Sequence, residues 1–347
     1  MERPVDWPVA PMLARSVATI PVGDYAYEPK WDGFRCLVLH SGGIVELGSR
    51  SQRPLTRYFP EIVATVADAI PDGCIVDGEL VLRQGTDGAQ HLDWDALSQR
   101  IHPAQSRIDK LAAETPAEFV AFDLLMVDGT SVRGDPFERR RARLEDLFGR
   151  VPAGRGIHLT RATRDPAAAA DWFDRFEGAG LDGVIAKPLS GGYEPDRRSM
   201  LKIKHRRTAE AVVWGYRPHS RGTGVGSLLL ALYDDRGELV PVGGIGALPD
   251  STRRSLVEEL APLVARDESG EPLVGTSERS RFSSAKDTSF VRLRPERVVE
   301  VAFDQLEGRR FRHAVTLLRW RPDRDPRSCL LAQVDTPESY DLAQVLL

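Results

Sequence analysis

Long apolar runs are missing from this 347-residue chain, aromatic residues make up only 7% of it, and cysteines number three. With no apolar stretch of membrane-spanning length, no signal-peptide pattern at Met1 and a mean hydropathy of -0.30, the sequence reads as soluble and cytoplasmic, with no membrane partner. Cys36, Cys74 and Cys329 are odd in number and far apart, which excludes a disulfide framework or a close-spaced zinc site and leaves three reduced thiols. A net positive charge is absent as well. The formal charge of -4 excludes a globally basic nucleic-acid binder but averages over a patchy distribution, and local patches are what a polyanion meets. Lysine is scarce: Lys30, Lys110, Lys187, Lys202, Lys204 and Lys286 stand against 41 arginines. Arginine is the default cation here, so a retained lysine points to a need for a compact ammonium or for an amine that can act as a nucleophile.

What is present divides the chain in two, as its length allows. Phe34 to His40 reads as a strand, Ser41-Gly42-Gly43 as a turn and Ile44 to Leu47 as the returning strand, which places Lys30 just before a sheet. Pro60 to Ile70 has helical spacing. Asp135-Pro136 and Asp165-Pro166 each read as an N-cap with proline in the first turn, and the two helices end near Gly149 and Gly178. Ile75 to Leu82, Phe119 to Val127 and Val184 to Ala186 are apolar runs suited to buried strands. Beyond Arg207 the texture changes to closely spaced strands, Ala211 to Tyr216, Leu228 to Tyr233, Leu239 to Val242, Val298 to Phe303 and Val315 to Trp320, with one helix over Ser251 to Val264 and a polar loop from Arg266 to Thr288. That pattern predicts a small β-barrel. The boundary falls near residue 207, giving domains 1–207 and 208–347, and no internal repeat is visible. Two basic clusters stand out, Arg197 to Arg207 with six Lys or Arg and no acid, and Arg309 to Arg327.

The chemistry centres on Glu28-Pro29-Lys30-Trp31-Asp32-Gly33-Phe34-Arg35, which contains Lys-x-Asp-Gly-x-Arg. Alone this could be a turn entering the Phe34 strand. Further segments follow in order: Ser49-Arg50 with Leu55-Thr56 and Phe59-Pro60-Glu61, Val76-Asp77-Gly78-Glu79-Leu80, Phe122-Asp123-Leu124-Leu125, Asp182-Gly183-Val184-Ile185-Ala186-Lys187, Leu201-Lys202-Ile203-Lys204, and Arg319-Trp320-Arg321-Pro322-Asp323-Arg324. In this order they resemble the motifs of the ATP-dependent DNA ligases, members of the covalent nucleotidyltransferase superfamily that also holds the capping enzymes. The chain resembles the short two-domain bacterial ligases of the ligase C type. The resemblance covers nearly the whole chain and takes in four of its six lysines.

The resemblance implies an α+β fold: a nucleotidyltransferase (ATP-grasp-like adenylation) domain of antiparallel sheets and helices, followed by an OB-fold β-barrel. It implies ATP as AMP donor, Mg2+ or Mn2+ as metal, and nicked duplex DNA as the partner of a monomeric enzyme. Lys30 would carry AMP. An amine attacks phosphorus only when deprotonated, so neighbouring cations such as Lys202 and Lys204, or a metal, are needed to favour the neutral form. The same cations would offset charge on the α-phosphate and pyrophosphate. Lys202 and Lys204 alternate around Ile203, so on a strand both share one face, as they also would on any half-buried edge strand. Glu28, Pro29, Trp31, Arg35, Arg50, Glu79, Phe122 and Lys187 complete the implied nucleotide site. Within it Phe122 would stack on adenine, Glu79 would contact ribose, and Arg35 and Arg50 would hold ribose or a 5′-phosphate. Asp182 and Glu79 would bind the metal. By itself, Phe122 on an apolar strand is more simply a core residue.

Two positions depart from the family pattern: Asp182 stands where glutamate is usual, and Arg324 where lysine is usual. Arg319 and Arg321 are the last-motif residues assigned to the first chemical step, with a domain closure hinged around His205 to Thr208. Lys-x-Asp-Gly is shared with RNA ligases and GTP-dependent capping guanylyltransferases, which makes these the enzymatic alternatives; an inactive DNA-binding module retaining the fold is the alternative of another class. Gly222-Thr223-Gly224-Val225-Gly226 lacks the Lys-Ser/Thr of a phosphate loop and reads as a hairpin.

Overall fold

Apolar side chains that alternate or run unbroken, punctuated by glycine and proline, give a chain built mainly of strands. The structure, a computed structural model, describes residues 7–205, 207–219, 224–276, 289–304, 306–311, 315–334 and 340–346. Residues 277–288 of the expected polar loop, Arg206 of the expected hinge and Gly222-Thr223 of the glycine-rich segment lie outside the described residues. By contact the chain divides into one unit of Met1–Lys204 with Pro337–Leu347, and a second of His205–Thr336. The sequence-based division at 207 assigned the final residues to the second domain, whereas residues 340–346 pack within the first unit.

In the first unit the strands are β1 (Ala14–Ser16), β2 (Tyr25–Pro29), β3 (Phe34–Ser41), β4 (Ile44–Ser49), β5 (Cys74–Val81), β6 (Arg83–Gln84), β7 (His91–Leu92), β8 (Glu118–Val127), β9 (Thr130–Ser131), β10 (Ile157–Leu159), β11 (Val184–Pro188) and β12 (Met200–Ile203). Its helices are α1 (Pro60–Ala69), α2 (Trp94–Ser98), α3 (Gln105–Glu114), α4 (Phe137–Phe148) and α5 (Pro166–Arg175). One main sheet runs β1-β12-β11-β2 and a larger one β10-β8-β5-β3-β4, with β9 beside β8, while β6 and β7 pair by themselves. Cys36, Val38, Val76, Phe119, Ala121 and Leu124 on one face of the larger sheet bury against Ile62 and Val66 of α1 and Leu144 of α4. On its other face Leu37, Leu39, Ile75 and Leu125 meet Met200 of β12, which holds the two sheets together. Each large apolar side chain buried this way contributes about 1.5–3 kcal/mol.

Local signals had physical content. Asp165 caps α5, its carboxylate accepting from Ala167 N at 2.9 Å. Asp135 does not cap: α4 starts at Phe137 after Pro136, with no side-chain cap bond, and the Asp135 carboxylate lies 3.5 Å from Arg143 Nη2.

The second unit contributes β13 (Arg207–Pro218), β14 (Val225–Tyr233), β15 (Leu239–Ile245), α6 (Asp250–Leu260), β16 (Val274–Thr276), β17 (Ser289–Phe303), β18 (Leu306–Glu307), β19 (Arg310–Phe311) and β20 (Thr316–Trp320). Its main sheet has the order β15-β14-β13-β17-β16, with β20 also paired to β17. Within the expected polar loop, Val274–Thr276 forms a strand that pairs with β17. Inward-facing Val212, Leu228, Leu230, Leu232, Val299 and Val301 form its core with Leu256 and Leu260 of α6. No helix among the described residues is long and apolar enough to cross a membrane.

Candidate nucleotide site

Lys30 follows β2 directly, and β2 pairs antiparallel with β11 so that Pro29 faces Val184. The pairing continues past the strands as two backbone bonds, Lys30 N donating to Gly183 O at 2.8 Å and Asp182 N to Lys30 O at 2.9 Å. Glycine is required at 183: φ is +119°, and an added Cβ would stand 2.0 Å from Ile203 O. A Cβ at Gly33 would likewise stand 2.0 Å from Leu80 O, so the Asp-Gly after Lys30 is needed for close passage over β5.

This backbone arrangement brings three charges together. Lys30 Nζ donates to Asp182 Oδ2 at 2.6 Å, and Lys204 Nζ lies 2.9 Å from the same oxygen. Burial alone would raise the Asp182 carboxyl, but the two ammonium groups outweigh it and hold the carboxyl below its ordinary value. Lys202 on β12 is pushed below the usual lysine range, first by burial and then by the charges of Lys204 and Lys30.

Between the two sheets of the first unit lies a cleft of about 960 Å³, lined among others by Glu28, Lys30, Arg35, Glu79, Phe122 and Lys202. Pro29, Trp31, Arg50 and Lys187 border it as well. Its volume is at the upper end of the roughly 300–1,000 Å³ of small-molecule sites. The structure therefore gathers all the sequence-assigned nucleotide residues except Lys204 along one cleft, with Lys204 tied to Lys30 through Asp182.

Several side chains differ in detail from the sequence reading. The Phe122 ring is 8% exposed and carries the Arg35 guanidinium 4.4 Å from its centroid, with Lys187 Nζ at 4.8 Å. Any base stacked on Phe122 shares the ring with these cations. Arg35 is locked by two bonds of 2.6 Å to the Asp77 carboxylate, and Tyr193 donates its hydroxyl to Asp77 Oδ2 at 2.6 Å. Asp77 favours charged Arg35 strongly enough to overcome burial, which alone would lower it. Lys187 is buried, donating to Phe122 O at 2.7 Å and lying 2.8 Å from Glu28 Oε2. The other Glu28 oxygen makes no hydrogen bond among the described residues; Arg141 Nη1 stands 3.6 Å away. Burial raises the Glu28 carboxyl against the pull of Lys187 and Arg141. Burial also pushes the Glu79 carboxyl up to about 7, against the opposing charges of Arg35 and Lys30.

Sequence reasoning missed Asp77 and Tyr193 as the clamp on Arg35. Asp77 lay inside a quoted motif and could have been found there; Tyr193 carried no signal. It also missed Thr160, whose hydroxyl accepts from Trp31 Nε1 at 2.8 Å.

For a metal, the described residues offer no group of three or more acidic, histidine or cysteine side chains. Mg2+ bound with a nucleotide needs only one or two carboxylates beside phosphate oxygens and water; of the two assigned, Glu79 lines the cleft and Asp182 Oδ2 is held by Lys30 and Lys204.

The sequence assigns a last motif to the second unit. There Arg319 is 64% exposed and 2.6 Å from Glu300 Oε2. Arg321, 16% exposed, pairs with Glu210 and lies 2.9 Å from Asp323. The hydrogen bond from Arg321 holds the Asp323 carboxyl down at about 2.

Residues 11–204 match the family model described as the ATP dependent DNA ligase domain, and residues 221–324 that described as the ATP dependent DNA ligase C terminal region. The chain belongs to the ATP-dependent DNA ligase family. It is similar to DNA ligase C2 of Mycolicibacterium smegmatis, 53% identical over 97% of each chain. Its similarity to DNA ligase C of Mycobacterium tuberculosis is 52% identity over 100% of this chain and 99% of that one. A solved structure from a study of Lig E DNA ligases is 18% identical, covers 90% of this chain and 99% of that chain, and superposes with a TM-score of 0.55, a likeness of fold alone. As a ligase of this family the chain is a phosphodiester-forming enzyme that uses ATP, with an adenylation domain followed by an OB-fold region.

Proposed function

We propose that this ligase seals nicks in duplex DNA through AMP carried on Lys30. The observation that carries the assignment is the convergence of Lys30 and Lys204 on one oxygen of Asp182 at the cleft that holds the other motif residues. In the first step Lys30 Nζ, having lost a proton to solvent, attacks the α-phosphorus of ATP; a P–N bond forms, the P–O bond to pyrophosphate breaks, and pyrophosphate leaves with the electron pair. AMP then passes to the 5′-phosphate at a nick as the P–N bond breaks and the amine regains a proton. The 3′-hydroxyl finally attacks that phosphate, releasing AMP and closing the strand.

Each group has a task in this scheme. The hydrogen bond to Asp182 aims the Lys30 amine, and Lys202 and Lys204 offset charge on the phosphates. The Glu28 oxygen that makes no hydrogen bond among the described residues accepts from the base, Phe122 packs against it, and Glu79 accepts from ribose. Arg35 and Arg50 hold ribose or the 5′-phosphate. Asp182 and Glu79 would hold Mg2+, which when bound supplies charge neutralisation at the phosphates. Arg319 and Arg321 act on the first step. Contacts to DNA fall mainly on phosphates, so binding is salt-sensitive and independent of sequence, which suits a role in repair.

A sealing assay on nicked DNA/DNA, nicked RNA/DNA and gapped duplexes tests the substrate. The reading expects ATP-driven closure of the DNA/DNA nick; labelling of the protein by GTP and not ATP would overturn it.

A further inference from the structure

The segment 340–346 belongs to the first unit although residues 205–336 separate it from the rest of that unit in sequence. Leu342 and Val345 are fully buried in a cluster with Trp31, Val81, Val120, Phe176, Ala179 and Leu181, and Tyr340 and Leu346 pack against it. The Tyr340 ring centroid lies 5.3 Å from that of Phe176. Polar bonds fix the segment as well. Leu342 N donates to Gln90 O at 2.8 Å, Gln90 N to Asp341 Oδ1 at 3.2 Å, and Arg161 to the carbonyls of Val345 and Gln344 at 2.9 and 2.8 Å.

Trp31 follows Lys30 in the chain, and its indole N–H is held by Thr160, the neighbour of the Arg161 that grips the segment. The route from the segment to the amine is therefore short: residues 340–346, then Arg161 and Thr160, then Trp31, then Lys30. Resting on the assignment of Lys30 as the nucleophile, we propose that residues 340–346 are a positioning element for it. Docked, the segment completes the seat of Trp31 and holds the Lys30 amine in line with the α-phosphorus. Undocked, Trp31 loses two buried cluster partners, and a nucleophile that has to be placed to a fraction of an ångström loses its aim. Enzyme adenylation thus depends on a part of the chain that follows the second unit. Closure of an already adenylated nick, in which the Lys30 amine is not the attacking group, does not.

The test uses the full chain with Leu342→Ala/Val345→Ala and, as a milder change, Arg161→Leu. Three quantities are measured: single-turnover formation of protein-AMP at saturating ATP, ATP affinity, and sealing of a preformed DNA-adenylate nick. The expected result is a fall of about tenfold or more in protein-AMP formation, with the other two quantities within about twofold and the rate restored in Leu342→Met. Wild-type adenylation in both variants overturns the proposal, as does an equal loss of all three activities together with a lowered thermal midpoint, which marks a purely structural segment. Mapping AMP in the wild-type protein separates this from the underlying assignment: AMP on a residue other than Lys30 refutes that assignment, whereas normal adenylation of Lys30 in the variants refutes only the positioning role.

Discussion

The two units differ in how deeply they bury charge, the buried charged side chains among the described residues all lying in the first. In the first, Arg100, Arg140, Lys187, Asp77 and Asp123 are buried, and each has defined partners. Arg140, for example, is bonded to both oxygens of Asp123 at 2.8 and 3.1 Å and to Gly191 O at 3.0 Å. In the second, Arg319 and Arg324 are solvent-exposed and their ion pairs lie at the surface. A buried pair of good geometry costs several kcal/mol to break by removing one partner, whereas an exposed pair is worth about 0–1 kcal/mol and exchanges partners readily. Lys187, which borders the cleft, and Arg35, which Asp77 clamps there, are thus groups that cannot move cheaply. Of the last-motif arginines, Arg319 and Arg324 are held only loosely by their acids, whereas Arg321, 16% exposed, is tied to Glu210 and Asp323.

That contrast can be broken by measurement, beginning with the largest effect. Arg140→Leu leaves Asp123 buried without its guanidinium and is expected to cost about 3–5 kcal/mol in denaturant unfolding; a loss under 1 kcal/mol would remove the distinction between the units. Tyr193→Phe orphans the Met12 N–H that its hydroxyl accepts at 3.1 Å and strips one donor from Asp77, an expected cost of about 1–3 kcal/mol, read by the same unfolding experiment.

Third is the Glu79 carboxyl, with its value near 7. If ribose donates to the carboxylate, protons compete with nucleotide, so ATP binding followed by calorimetry should be about tenfold weaker at pH 6 than at pH 8, and Glu79→Gln should flatten that dependence. The linked effect on folding has the opposite sense. The folded carboxyl holds its proton to higher pH than the unfolded one, so its contribution to stability is present below about 4.5 and is lost as pH rises towards about 7. Smallest is Arg319→Ala, expected to change unfolding free energy by no more than about 1 kcal/mol while slowing protein-AMP formation.

Much of the cleft was legible in the sequence because its residues sit in short segments whose chemistry is local. Lys30 with Asp32-Gly33, and Asp182-Gly183, stood out through their resemblance to ligase motifs, and their glycines permit the close backbone passage that the structure shows. Strand positions were legible for the same reason, although ends shifted: Arg207–Pro218 and Ser289–Phe303 run well beyond the apolar cores that revealed them. What escaped depends on long-range pairing. Nothing near Tyr193 tells that its hydroxyl reaches Asp77, 116 positions away. Nothing in Leu342 or Val345 tells that they bury with Trp31 instead of with the barrel before them. Asp135 misled because a cap and a surface ion pair use the same side chain.

The most direct test of the central claim is to incubate the protein with ATP and Mg2+, measure its intact mass and map any adduct by peptide sequencing. The account predicts one AMP on Lys30, absent in Lys30→Ala, which also fails to seal nicks from ATP. An unmodified Lys30 in a protein that still joins DNA with ATP would contradict it.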